Sequence, residues 1–200
     1  MSHSHELQTS IVQVGGFRPG GDPQASNFGL SPLANPGELW PVSNGSPMLH
    51  VCQLNLTTAP ARPPLIADLE MLTFFVDPDS SNLGKENGSG WRLFAYPSVK
   101  DLVPMVRPAD APKLKRGFEC VWLTTNDPSA DRTKIGGEPS VIQSEPWWDY
   151  QAHPAEPQYC VQINSEEKVG LACGDAGMVY LARGTASGHE YEWFLDWQCY

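Results

Sequence analysis

Thr133-Lys-Ile-Gly-Gly-Glu-Pro-Ser-Val-Ile-Gln143 joins a polar lead-in, a glycine pair, a proline and an apolar, strand-like run. Adjacent glycines reach backbone angles closed to residues that carry a Cβ, so Gly136 and Gly137 mark a tight bend. Pro139 fixes φ and removes a donor, which suits the start of an edge segment. The same arrangement occurs earlier, as Phe28-Gly-Leu-Ser-Pro32, with Gly29 and Pro32 in the corresponding places.

The echo continues outward from both bends. Trp40 corresponds to Trp147 at the spacing that relates Pro32 to Pro139. Further on, Val51-Cys-Gln-Leu-Asn55 corresponds to Cys160-Val-Gln-Ile-Asn164, and Phe75-Val76 to Tyr180-Leu181. The spacing grows slightly along the way, as a loop insertion allows at little cost. The series implies an internal duplication: a first β-rich half over 9–125 and a second over 126–200. The two halves pack as one compact unit behind a disordered leader at 1–8. Gln53 and Gln162 are polar groups in apolar runs and need partners if buried. The reading adopted is structural, each glutamine tying its strand to the neighbouring bend.

Proline (19) and glycine (18) are too frequent for long helices, while seven Trp and seven Phe argue against disorder. Apolar, β-prone runs predict strands over 9–14, 48–55, 71–76, 91–96, 118–124, 158–164 and 178–182. A further short strand is expected just before Gly174. The aromatic tail over 191–200 should pack on the body. Helix is expected only as short pieces in 65–70 and 98–106. The fold class is therefore α+β, mostly β.

The net charge is −10, from 13 basic and 23 acidic residues. Such a surface repels phosphates and anionic lipid and attracts a basic partner. The five cysteines, at 52, 120, 160, 173 and 199, form no CxxC pair and no zinc spacing with histidine. Buried reduced thiols in a cytoplasmic protein are the simplest account. No apolar stretch is long enough to span a membrane.

The search for catalytic chemistry returns little. Gly184-Thr-Ala-Ser-Gly188 has the wrong spacing for a nucleophile elbow, and Gly84-Lys85 lacks the rest of a phosphate loop. His3 and His5 belong to the leader. His50 reads as a hydrogen-bonded core histidine. Asp175, ahead of Gly177, reads as a turn carboxylate that accepts backbone N–H groups. Trp147-Trp148 reads as packing. No catalytic residue, metal or cofactor is assigned.

The chain resembles the YwqG-like family of bacterial proteins over residues 10 to 200. The resemblance rests on Thr133-Lys-Ile-Gly-Gly-Glu-Pro139, Val161-Gln-Ile-Asn164, Gly174-Asp-Ala-Gly177 with Tyr180, and Asp196-Trp-Gln-Cys-Tyr200. A weaker first copy runs through Ser26-Asn-Phe-Gly29, Trp40-Pro41 and Cys52-Gln-Leu-Asn55. It departs from the pattern at Leu30, where a second glycine is expected, and at Asn27, where lysine is common. The resemblance implies duplicated, mostly β sheets and no established catalytic residue. Members that look like this occur beside contact-delivered toxins as immunity proteins.

Charge and resemblance together lead to one expectation: an acidic inhibitor that occludes the basic active site of a cognate toxin in a 1:1 heterodimer. A nuclease fits best, a DNase delivered by a type VI secretion system, with carboxylates standing in for phosphates. Neither nucleic acid nor a membrane is an expected partner. The candidate contacts are Asp77, Asp79 and Glu86 in one loop, Asp127 and Asp131 in another, and Glu166 and Glu167 in a third. The alternative is an enzyme or small-ligand binder using a cleft between the halves, lined by Trp and Gln.

Overall fold

A computed structural model describes residues 9–15 and 21–200. The leader at 1–8, with His3 and His5, lies outside the described residues. The strands of the first part are β1 (Thr9–Val14), β2 (Asn27–Phe28), β3 (Leu33–Ala34), β4 (Val42–Ser43), β5 (Ser46–Pro47), β6 (Leu49–Asn55), β7 (Met71–Val76) and β8 (Trp91–Tyr96). Then follow β9 (Val103–Pro104), β10 (Phe118–Thr125), β11 (Lys134–Ile135), the helix α1 (Trp147–Tyr150), β12 (Gln158–Asn164), β13 (Met178–Arg183) and β14 (Trp193–Gln198). The protein is mostly β with few helices, as the breaker content requires.

Ten strands form one antiparallel sheet in the order β14-β13-β12-β11-β1-β10-β2-β6-β7-β8. The middle of that order is a strand exchange. β1 lies between β10 and β11, and β10 lies between β1 and β2. Ile11 pairs with Leu123 and Val12 with Trp122 at the centre of the β1–β10 pairing. Both flanks carry a bulge at the same place: the register shifts between His50 and Cys52 against β7, and between Tyr159 and Val161 against β13.

The sheet curls into a nearly closed barrel. Residues 85–87 bridge its two edges. Glu86 pairs with Phe194 of β14, the Asn87 N–H donates to the Trp193 carbonyl at 3.1 Å, and the Leu195 N–H donates to the Lys85 carbonyl at 2.8 Å. The Asn87 side chain serves the other edge. It accepts from the Leu93 N–H and donates to the Leu93 carbonyl, each at 2.9 Å, as a β8 neighbour would.

One face of the strands feeds a core common to both flanks, including Val12, Phe28, Leu54, Phe74, Trp91, Ile135, Val161, Leu181 and Trp193. The opposite face feeds two separate cores. One gathers Trp40, Met48, Met71, Phe75 and Tyr96, and the other Trp147, Trp148, Met178, Tyr180 and Phe194. The indole N–H of Trp40 donates to the Met48 carbonyl at 2.8 Å, and that of Trp147 to the Leu195 carbonyl at 2.9 Å. With both faces covered, several strands are apolar throughout rather than alternating.

Several expectations need correction. The helix expected in 65–70 is a single 3₁₀ turn, Pro64–Ile66, which Pro63 and Pro64 lead into. The segment 98–106 supplies turns and β9, with Pro104 paired to Leu33. The strand expected before Gly174 is only an isolated bridge, Glu166 to Leu171. His50 is buried as expected; the Leu30 and Cys52 backbone groups lie beside its ring without forming well-aligned hydrogen bonds. It packs against Trp40 and Phe75, and burial with the nearby Arg107 charge pushes its pKa down to about 3. The five cysteines are free, and those at 52, 120 and 160 are buried. Among the described residues no helix is long and apolar enough to cross a membrane.

Candidate functional site

The segment that opened the sequence reading forms one wall of a groove. Gly136 and Gly137 both take positive φ, 73° and 67°. A Cβ on Gly137 would stand 2.4 Å from the Pro128 carbonyl oxygen, so glycine is required there twice over. In the first bend Gly29 has φ 69° but Leu30 does not enter the left-handed region. After Pro139 the chain is pinned to the sheet. The Ser140 N–H donates to Gln162 Oε1 at 2.8 Å, and the Tyr180 hydroxyl donates to the Ser140 carbonyl at 2.6 Å. The N–H groups of Ile142 and Gln143 both donate to Gln198 Oε1, at 3.0 and 3.1 Å. These bonds hold 138–143 as a fixed strap ahead of α1.

Between the strap, the 128–131 turn and α1 lies a groove of about 620 Å³. Asp131, Glu138, Glu145 and Asp149 line it, with Val141, Ile142 and Met178 as apolar floor. Burial, reinforced by Glu145, pushes the Asp149 carboxyl above its ordinary value. Partial desolvation and a neighbouring like charge both act in this direction. The ammonium behind the strap is turned inward. Lys134 is fully buried, and its Nζ donates to the Pro128 carbonyl at 2.9 Å and to Ser140 Oγ at 3.1 Å. Burial lowers its pKa to about 8, against the pull of Asp127, Asp131 and Glu138. The outer surface is therefore anionic, and the cation beneath it is shielded from solvent.

The candidate acidic residues distribute unevenly around this geometry. Asp127 and Asp131 come together beside Lys134. Asp127 also closes its own turn, accepting from the Ser129 N–H at 3.0 Å, and Asp131 accepts from the Asn164 side-chain amide. Asp77 and Asp79 follow β7 and are engaged in their loop. Asp77 accepts from the Asp79 N–H and from Asn82 Nδ2, both at 2.9 Å, and Asp79 accepts from the Ser81 N–H at 3.0 Å. Glu86 lies in the barrel closure. Glu166 accepts from the Lys168 N–H at 3.1 Å in a loop that packs on the basic stretch 113–116, where Arg116 donates to the Val169 carbonyl. Glu167 is exposed in the same loop. Sequence reasoning missed Glu138, Glu145 and Asp149. Their signal was present, since they flank the fixed strap that Pro139 begins.

Most motif residues are buried or half-buried, while Asp175 is exposed. Gln53 Oε1 accepts from the Leu33 N–H at 2.7 Å, just past Pro32, as Gln162 does from Ser140 just past Pro139. Asp175 contributes its carbonyl, which accepts from the Tyr200 N–H, rather than the side-chain bonds expected of it. Gly177 lets the Cys173 and Gln198 carbonyls approach where a Cβ would stand 2.0 and 2.3 Å away. Among the described residues no cluster of histidine, cysteine and carboxylate could hold a metal ion.

The chain matches no protein-family model and no curated protein.

Proposed function

We propose that the protein is an immunity-type inhibitor that binds a basic toxic enzyme, one to one, through the acidic groove beside the Gly-Gly bend. The observation that carries this reading is the convergence of Asp131, Glu138, Glu145 and Asp149 on one groove whose lining holds no basic side chain. A row of carboxylates with an apolar floor matches a protein face that presents Lys or Arg on a rigid surface. A nuclease is the enzyme class that must carry such a face to hold its substrate. A DNase delivered by a type VI secretion system follows from the charge and the YwqG-like resemblance together. Of the sequence candidates, Asp131 lines the groove and Asp127 closes the adjoining turn. The other loops serve the fold first.

The internal duplication belongs to the same reading. It is supported by hydrogen bonds placed alike in the two halves. Ser26 Oγ accepts from the Asn55 N–H at 2.8 Å, and Thr133 Oγ1 from the Asn164 N–H at 3.0 Å. The second half then carries the groove, and of its carboxylates Glu145 has a counterpart in Glu38 at the Trp40-to-Trp147 spacing. The alternative of a Trp- and Gln-lined cleft has less support: neither the acidic groove nor the open depression by Gly21, Phe118 and Glu119 is lined by Trp or Gln.

The test is co-expression with the product of the adjacent gene, followed by size exclusion and a salt titration. A 1:1 complex that weakens steeply with salt is expected, and paired Glu138→Lys and Glu145→Lys substitutions should abolish it and its protection of cells. A neighbour that is not toxic, or a complex indifferent to both charge reversals, would sink the proposal.

A further inference from the structure

Two tetrapeptides of almost the same sequence, Ser43-Asn-Gly-Ser46 and Glu86-Asn-Gly-Ser89, meet opposite fates in the fold. Asparagine followed by glycine is open to intramolecular imide formation, because no Cβ keeps the next backbone nitrogen away from the side-chain amide carbon. At 87 the fold blocks that reaction twice. The Gly88 N–H donates to the Trp91 carbonyl at 2.9 Å, so the nitrogen that would attack is engaged. The Asn87 amide is clamped at both ends, its Oδ1 and Nδ2 each bonded to the Leu93 backbone at 2.9 Å.

At 44 neither block exists. Asn44 and Gly45, with φ 50° and 82°, form the turn between β4 and β5, a ladder in which Val42 pairs with Pro47 and Ser43 with Ser46. The ladder stands apart from the ten-stranded sheet, and both turn residues are exposed. Among the described residues no acceptor takes the Gly45 N–H. So short and exposed a hairpin opens readily. The Asn44 amide and the Ser43 hydroxyl lie beside the Asp77 carboxylate. Asp77 is 8 % exposed and also accepts from the Asp79 N–H and from Asn82 Nδ2, both at 2.9 Å. It ties the hairpin to the 77–82 loop.

We propose that Asn44 is a site of spontaneous modification, at which the side-chain amide becomes a carboxylate and the contact with Asp77 is lost. The Gly45 nitrogen, its proton passed to solvent base, bonds to Asn44 Cγ. The Cγ–Nδ2 bond breaks, and the amide nitrogen leaves as ammonia with a proton taken from water. Water then opens the cyclic imide, at Cγ to give aspartate or at the main-chain carbonyl carbon to give isoaspartate. Aspartate sets a second carboxylate against Asp77 where a donor stood, and like charges repel. Isoaspartate also lengthens the main chain in a tight turn. The site lies apart from the acidic groove and does not depend on the toxin reading.

The test incubates the full folded chain in mildly alkaline buffer beside a sample in urea, and follows the amide-to-acid mass change at each asparagine by peptide mapping. In urea the two Asn-Gly-Ser sites should convert at about the same rate, since local sequence alone then decides. In the folded chain Asn44 should convert at least about tenfold faster than Asn87, because only Asn87 must first break the clasp. Equal rates in the folded chain, or an Asn44 that stays intact while its urea control converts, would overturn the proposal. Asn44→Asp supplies one product directly. Hydrogen exchange at the Asp79 N–H, which donates to Asp77, should quicken in this variant and in the converted fraction of the wild type; unchanged exchange in both would overturn the loss of the Asp77 contact. Should Asn44→Asp not fold, the two conversion rates and the converted wild type still decide.

Discussion

Replacing Lys134 by methionine should stabilise the protein at neutral pH relative to its effect in mild alkali. Lys134 is fully buried, and burial lowers its pKa from 10.5 to about 8. A lysine whose folded pKa is depressed favours unfolding at low pH, because the unfolded chain binds the proton more tightly. The penalty is fully present below the folded value and disappears as pH rises through the unfolded one. The shift corresponds to roughly 3 kcal/mol at pH 7, of which about 2 kcal/mol is recovered by pH 9.5. Methionine keeps the apolar stem and has no proton to lose. The partners are not stranded: Pro128 still accepts from the Glu138 N–H, and Ser140 Oγ still donates to the Ser129 carbonyl. Urea denaturation of both proteins at pH 7 and pH 9.5 measures the difference. The stability gap should move toward the wild type by about 2 kcal/mol over that interval. A gap that does not change with pH would mean that Lys134 is not desolvated in the folded state, and the picture of a buried cation beneath an acidic wall would fall.

Gly137→Ala should cost several times what Gly37→Ala costs. Both need positive φ, worth about 1 kcal/mol, but only Gly137 has a carbonyl oxygen 2.4 Å from the would-be Cβ; equal losses in chemical denaturation would refute the steric part. Asn87→Ala should destabilise by about 1–3 kcal/mol by stripping both Leu93 backbone groups of their partner. Hydrogen exchange should then quicken at Leu93 and Trp193 and not in β12, and a uniform change would contradict a local clasp. Asp68→Asn should lose about 1 kcal/mol at pH 7. The Arg183 hydrogen bonds hold the half-exposed Asp68 carboxyl below its ordinary value of 3.8. That contribution is present above pH 4 and fades as pH falls through the folded value, so the two proteins should converge in acid.

The strands were legible because their apolar runs end in unmistakable breakers. Met71–Val76 stops at Asp77-Pro78, and Gln158–Asn164 follows Pro157, so their limits could be read directly. The pairing was not legible. Nothing in Thr9–Val14 says that its neighbours are residues 118–125 and 134–135, because pairing is decided by what the rest of the chain leaves unpaired. The helix at Trp147–Tyr150 is four residues long and carries no periodic signal. Asn87 shows how a side chain can complete a sheet edge without any strand pattern. For the groove, charge alone pointed to acidic loops, and composition weighted all three equally. Asp79, Asp127 and Glu166 each spend an oxygen on a nearby backbone N–H, a local use of carboxylates that composition cannot separate from a binding surface.

The exchanged strands have a consequence for how the molecule is made. β1 has no sheet neighbour on either side until residues 118–135 exist, so a growing chain carries an unpaired β-prone segment through more than half of its synthesis. Its closing contacts are among the most distant in sequence, which slows the final step and exposes open edges in the interval. Severing the chain after Thr125 would leave the strands β11 to β14 without β1, the neighbour that only the first piece provides, so folding of the second piece should require co-expression with the first.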